Sequence, residues 1–226
     1  MIVRLEPDKR IPAELREIYP RLAGNVMETY GAFDEFVFLF TSEEVVSVLN
    51  ATAGAFFVRH QRLLIDNIIL SLSRMTDKKR SGYLKYPQEN LTLDRLLELP
   101  DAKYKTLRTD LERKWTEIKR AAEPLRTYRH KFLAHASLVH HLSPSAKLGD
   151  DITIASIKKL LEQISDFLNT FDCFFTGVET TSYSPPASYG DAHDLIAYLK
   201  LAIETENKAK NEVLKLPTKR PRGLAS

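Results

Sequence analysis

Residues 41–77 read "TSEEVVSVLNATAGAFFVRHQRLLIDNIILSLSRMTD", and this stretch decides the fold class. Thr41 and Glu44 form a capping box, and apolar residues then recur at helical spacing as far as Met75. The spacing predicts one long helix, the longest of the chain and central to it. Upstream, a helix is predicted over residues 12–31, with Pro12 at its first position, Pro20 kinking or dividing it, and an end at Tyr30–Gly31. Downstream, "KKRSGYLKYPQEN" is a polar break, followed by a short helix over 92–98 and a charged helix that begins near Asp101, after Pro100. Pro124 marks a kink or a fresh start before a helix over 125–141. "SPSAKLGDD" interrupts the pattern, and an amphipathic helix over 152–175 is closed by Gly177. After the loop "TTSYSPPASYG", Asp191 caps a last helix over 191–215.

Eight glycines in 226 residues, and no alternating Val/Ile/Thr-rich run bounded by hairpin turns, give strands no support. The expected fold is all-α, an up-and-down helical bundle. Residues 1–40 are assigned to an N-terminal helical extension, 41–215 to the bundle, and 216–226 ("LPTKRPRGLAS") to a basic, disordered tail. A chain that is 43% apolar is long enough to bury one core. Its 33 Lys and Arg against 30 Asp and Glu leave a net charge of +3, so global charge does not announce a nucleic-acid binder, although a local patch still can. The single cysteine, Cys173 in "FDCFF", excludes an internal disulfide and reads as a buried apolar filler. "MIVRLEPDKR" at the start lacks the apolar core of a signal peptide, and no run approaches the roughly 18 apolar residues of a membrane span. These features point to a soluble, cytoplasmic protein with no membrane partner.

The most informative short segment is "LRTYRHKFLAHAS", residues 125–137. At about 100° per residue, with Tyr128 as zero, Phe132, Leu125, Ala136 and Leu133 fall between about 40° and 140°. Arg129 falls at about 100°, inside that apolar wedge, and His135 about 20° to the other side of Tyr128. His130, at about 200°, lies on the polar side. A solvated arginine is not normally placed in an apolar wedge. Its physical options are a buried ion pair, a snorkelling side chain at an interface, or an anion site. From Lys119 to Lys131 there are five basic residues (Lys119, Arg120, Arg126, Arg129, Lys131) and one acid, Glu123, so this helix is positive in a nearly neutral protein and favours an anionic partner.

"RHKFLAH" resembles the signature of the HEPN superfamily: an arginine, a polar residue directly after it, further residues and then a histidine, on a late helix of an all-α domain. "LIDNIILSLSRMTD", followed after a break by "ENLTLDRLLEL", is similar to the abortive-infection U-type branch. There a long helix ending in Ser-Arg-x-x-Asp precedes a short Leu-rich helix and then the Arg/His helix. The resemblance covers residues 45–175 and implies a HEPN-type bundle paired as a two-fold homodimer.

It also implies a metal-independent endoribonuclease with RNA as partner and no cofactor. Attack of a 2′-hydroxyl on the adjacent phosphate needs a base, an acid and positive charge on the phosphorane. His135 suits proton transfer because an imidazole titrates near neutrality, and Arg129 stays charged and can grip two phosphate oxygens. One histidine cannot serve as base and acid in the same step, whereas the pairs of two chains can. His130 takes the polar position after the arginine and orients substrate or the catalytic histidine. Lys131, Arg126 and Tyr128 are assigned to substrate binding. Arg74 and Asp77, i,i+3 neighbours, form either a local ion pair or a brace behind the motif helix.

Other features are weaker. Lys78, Lys79, Arg80 and Lys85 with Tyr83 and Tyr86 make either a solvated loop or an RNA-holding one. His135, His140 and His141 lack nearby acids or thiolates, so no metal site is expected. Three readings stay open: a nuclease of phage defence or a toxin, restrained by an antitoxin protein or an activating signal; a non-catalytic module binding RNA, a nucleotide or a protein; and a structural bundle in which Arg129 pairs with a buried acid.

Overall fold

Proline 20 divides the N-terminal stretch in the computed structural model of the chain. Helix α1 (Ala13–Arg16) is a single turn, and α2 (Ile18–Thr41) restarts so that Pro20 falls in its first turn, where its missing N–H costs no ladder bond. The structure describes residues 9–81, 88–100, 102–134, 151–179, 183–184 and 190–214. The expected end at Gly31 is not observed, since α2 runs on to Thr41. A glycine inside a helix costs about 1 kcal/mol, and burial of Val26, Phe33 and Leu39 along the same helix outweighs it. Helix α3 (Glu43–Met75) is the long helix, and its ladder opens with Val46 N–H donating to the Ser42 carbonyl (2.9 Å), one residue later than the predicted cap. Ala53 leaves helical geometry (φ −139°, ψ 49°). Next to it the Thr52 hydroxyl bonds back to the carbonyls of Val48 (3.0 Å) and Leu49 (3.2 Å), a pattern that bends helices.

The polar break closes as a minimal hairpin, β1 (Arg80–Ser81) antiparallel to β2 (Gln88–Glu89), with Arg80 opposite Glu89. The predicted short helix is a 3₁₀ turn at Leu93–Leu97, and a second 3₁₀ turn at Ala102–Tyr104 leads into α4 (Lys105–Ala121). Beyond it lie α5 (Glu123–Tyr128), α6 (Ile154–Thr176) and α7 (Ala192–Leu214). The described part of the chain is therefore all-α apart from the hairpin. Among the described residues no single helix is long and apolar enough to cross a membrane.

The chain forms two compact units. The first comprises Met1–Val37 and Gln61–Pro186. Its core gathers Leu15, Leu22 and Val26, Ile68 and Leu72, Leu93 and Leu96, Leu111 and Ile118, and Leu125 around α6. Residues 11–37 thus share a core with the motif helix, whereas the sequence reading set 1–40 apart. Helix α6 buries Ile157, Leu160, Leu161, Ile164, Phe167, Leu168, Phe171 and Phe175, which recur at three- and four-residue spacing. A reciprocal Thr153/Ser156 capping box opens it (3.0 and 2.8 Å). Gly177, at φ +70°, ends it in the left-handed conformation that suits glycine. Cys173 is exposed rather than a buried filler. It lies two residues from Phe171 and from Phe175, and two helical residues span about 200°, so Cys173 turns away from the buried face.

The second unit comprises Phe38–His60 and Ala187–Ser226. Leu39, Val45, Leu49, Phe57 and Ile196 make its core. Asp191 caps α7 as predicted, its carboxylate accepting from the N–H groups of His193 (2.9 Å) and Asp194 (3.3 Å). Lys200 pairs with Glu44, and the rings of Phe38 and His193 lie 3.7 Å apart. His60 stacks on Phe56 at 6.0 Å. The tail at 216–226 lies outside the described residues.

Candidate functional site

The stretch 123–134 is not one α-helix. Pro124 cannot donate to the carbonyl four residues back, and the chain breaks at Ala122 before α5 begins. After Tyr128 the backbone winds as a π-helix, Arg129–Ala134, so the six residues "RHKFLA" carry i→i+5 hydrogen bonds. A π turn holds an extra residue, so angles counted at α-helical pitch do not apply beyond Arg129.

Arg129 does not sit as a lone charge in an apolar wedge. Its two terminal nitrogens donate to the two carboxylate oxygens of Asp77, Nη2 to Oδ1 at 3.1 Å and Nη1 to Oδ2 in a shorter contact, across 52 residues of sequence. The side chains are 23% and 29% exposed. Asp77 therefore spends its carboxylate on Arg129 and not on Arg74. Of the two readings of the Ser-Arg-x-x-Asp sequence, the local ion pair is absent and Asp77 is a brace.

Arg126, assigned to substrate from the sequence, is occupied inside the fold. It donates to the Thr76 carbonyl (2.9 Å) and the Lys119 carbonyl (2.8 Å), and pairs with Glu123. Thr76 and Asp77 directly follow the end of α3, so Arg126 and Arg129 grip the same terminus, where the helix dipole favours positive charge. Tyr128 packs against the core, stacked on Phe132 at 4.8 Å between centroids. Burial pushes its phenol above the ordinary range, the Asp66 charge adds to this, and Arg62 opposes it. Leu125 is buried, while His130 and Lys131 are exposed. His135, like His140 and His141, lies outside the described residues, as do Tyr83, Lys85 and Tyr86. Among the described residues no group of three His, Cys, Asp or Glu side chains is placed to hold a metal ion.

Sequence reasoning missed Arg95. It is only 14% exposed and sits within the Leu-rich 3₁₀ turn. It donates to the carbonyls of Lys79 (2.9 Å) and Asn90 and pairs with Glu89, which fixes the hairpin that leaves α3. The signal was the same as for Arg129: an arginine among leucines, in "LDRLLEL". The ordered trio of segments is thus one structural unit. Arg95 ties the chain as it leaves α3, and Arg126 and Arg129 tie the motif helix to the end of α3.

Chemically, a guanidinium carries five N–H donors. Asp77 takes two of them, holding the group in a fixed plane and leaving the remaining donors for a second anion. A family model, HEPN_AbiU2 (AbiU2), matches residues 12–171. Comparisons with curated proteins and with solved structures give no match.

Proposed function

The chain belongs to the AbiU2 family of HEPN domains, and from that premise we propose that it is a metal-independent endoribonuclease acting in phage defence or as a toxin. The observation that carries the proposal is Arg129, oriented end-on by Asp77 at the start of a π-helical turn. π turns concentrate at functional sites, and an arginine with a fixed plane and donors to spare is suited to a crowded phosphate. His135, six residues on, supplies proton transfer. A second copy of the chain brings the second imidazole, so that one acts as base on the 2′-hydroxyl and the other as acid on the leaving 5′-oxygen. Free activity would harm the host, so an antitoxin protein or an activating signal restrains it.

A second reading, a structural bundle in which Arg129 only holds the fold together, is favoured by the same ion pair, since Asp77 takes up much of the positive charge that a phosphate would need. The two separate in one experiment. Wild type, His135→Ala and Arg129→Ala are incubated with total cellular RNA in excess EDTA, and the new ends are analysed. Cleavage by wild type alone, leaving 2′,3′-cyclic phosphate, is expected. Cleavage by His135→Ala at the wild-type rate would remove that residue from the chemistry. RNA binding without cleavage, lost in a folded Arg129→Ala, would establish a non-catalytic binding module. Loss of stability in Arg129→Ala with no effect on RNA would leave a structural pair only.

A further inference from the structure

Helix α7 lies beyond the residues that match the family model, and it is held by one face only. Ala192, Ile196, Leu199 and Ile203 recur at four- and three-residue spacing; Ile196 is buried in the core of the second unit, and Ala192 and Leu199 pack against that core. From Glu204 to Lys210 every residue is exposed. A helical segment this short, with nothing to pack against, is marginal in water. A second stripe runs along the same helix. Leu195, Tyr198, Ala202, Thr205 and Ala209 follow one another at three- and four-residue spacing, that of a coiled-coil seam, and Leu201 borders them. At about 100° per residue, with Ala209 as zero, this stripe stays within about 40° of zero, whereas the docked stripe lies between about 80° and 140°. Leu195, Tyr198 and Leu201 are 39%, 62% and 59% exposed.

We propose that this second stripe is covered by α7 of a second copy of the chain, antiparallel, about a two-fold axis level with Asn207. Charge selects both the partner and its direction. Residues 204–210 read "ETENKAK", in which the signs invert about Asn207: Glu204 mirrors Lys210 and Glu206 mirrors Lys208. An antiparallel copy brings the acidic half of the segment level with the basic half of its partner, twice over, whereas a parallel copy sets acid beside acid and base beside base. Such a contact is isologous, the same patch serving both copies. Thr205 of each copy then stands level with Ala209 of the other, and small side chains at the centre let two helices approach closely. The overlap runs over residues 200–214, about 22 Å at 1.5 Å per residue, and brings Leu201 level with residue 213 of the second copy. Glu206 and Lys210 also pair within the helix at 2.6 Å, both 65% exposed; a solvated contact of this kind contributes little and does not hold either side chain from a second partner. The pairing is separate from the meeting of motif helices in the cleavage reading, and it stands whether or not the chain cuts RNA.

Sedimentation equilibrium of the full chain tests this with two variants, one carrying Glu204→Lys and Glu206→Lys, the other Lys208→Glu and Lys210→Glu. Each variant sets like charges against one another in its own pair and should self-associate about tenfold or more weakly than wild type. An equimolar mixture of the two sets acid against base along the whole segment and should associate more tightly than either alone. All four residues are exposed, so the core of the unit is left intact. Direction is read by oxidative cross-linking in a Cys173→Ser background. Chains with Thr205→Cys should cross-link to chains with Ala209→Cys, and neither should cross-link to itself; cross-linking of Thr205→Cys chains to one another would mean a parallel pair and overturn the assignment. Wild-type association in both charge variants would leave self-association to another surface, the motif helices included, and would also overturn the proposal. So would a mixture no tighter than its components, or a wild type that stays monomeric and leaves the stripe to a different protein.

Discussion

Replacing Asp77 by Ala tests the contact that fastens the motif helix to α3. The change deletes both acceptors of Arg129 and leaves a guanidinium that is only 23% exposed facing an empty site. Removing one partner of a fully buried pair costs about 3–5 kcal/mol, whereas an exposed pair contributes about 0.2–1 kcal/mol. With about a quarter of each side chain in solvent, screening places this pair between those limits, at about 2 kcal/mol. For a chain of this length that corresponds to a fall in Tm of about 4–8 °C. The assay is a double-mutant cycle by urea denaturation with Asp77→Ala, Arg129→Ala and the double variant. Each single variant should lose about 2 kcal/mol, and the double variant about the same 2 kcal/mol rather than 4 kcal/mol, because the second deletion removes a group already without its partner. Additivity within about 0.5 kcal/mol would refute the reasoning, since residues that do not interact are additive to that margin.

Arg95→Met removes the donor to the Asn90 carbonyl and should cost about 1–3 kcal/mol. Hydrogen exchange should then quicken in Arg80–Ser81 and Gln88–Glu89, and unchanged protection there would show that Arg95 does not hold the hairpin. Burial raises the phenols of Tyr19, Tyr30 and Tyr128 above their ordinary value of 10.0. The neutral form is the one the fold favours, so this contribution is constant below pH 10 and is lost as the pH rises further, when the unfolded chain releases its protons first. Urea midpoints measured across that range should fall, and fall less in Tyr128→Phe; an equal fall in both would exclude Tyr128. Cys173 should react with a thiol reagent at once in the folded protein, and a reaction that waits for denaturant would contradict its exposure.

The candidate site was only partly legible in the sequence. Arg129 stood out because a charge at a wedge position demands a partner, but the partner lay 52 residues away, and helical periodicity says nothing of contacts between helices. Arg126 looked like a surface cation, and only the packing of α5 against the end of α3 shows that its donors are taken by two backbone carbonyls. Arg95 carried the same signal and was passed over.

What the sequence by itself determined is local in origin. The apolar spacing of α3 and α6, the Asp191 cap, the break at Pro124 and the stop at Gly177 all depend on residues within a turn or two of one another. Tertiary structure decided what depends on distance or on overriding a local preference. Helix α2 passes Gly31 because buried side chains outweigh a cost of about 1 kcal/mol. The same holds for the π winding of residues 129–134 and the grip of two arginines on one helix end. Each of these is set by which surfaces meet, and that information exists only once the helices are packed.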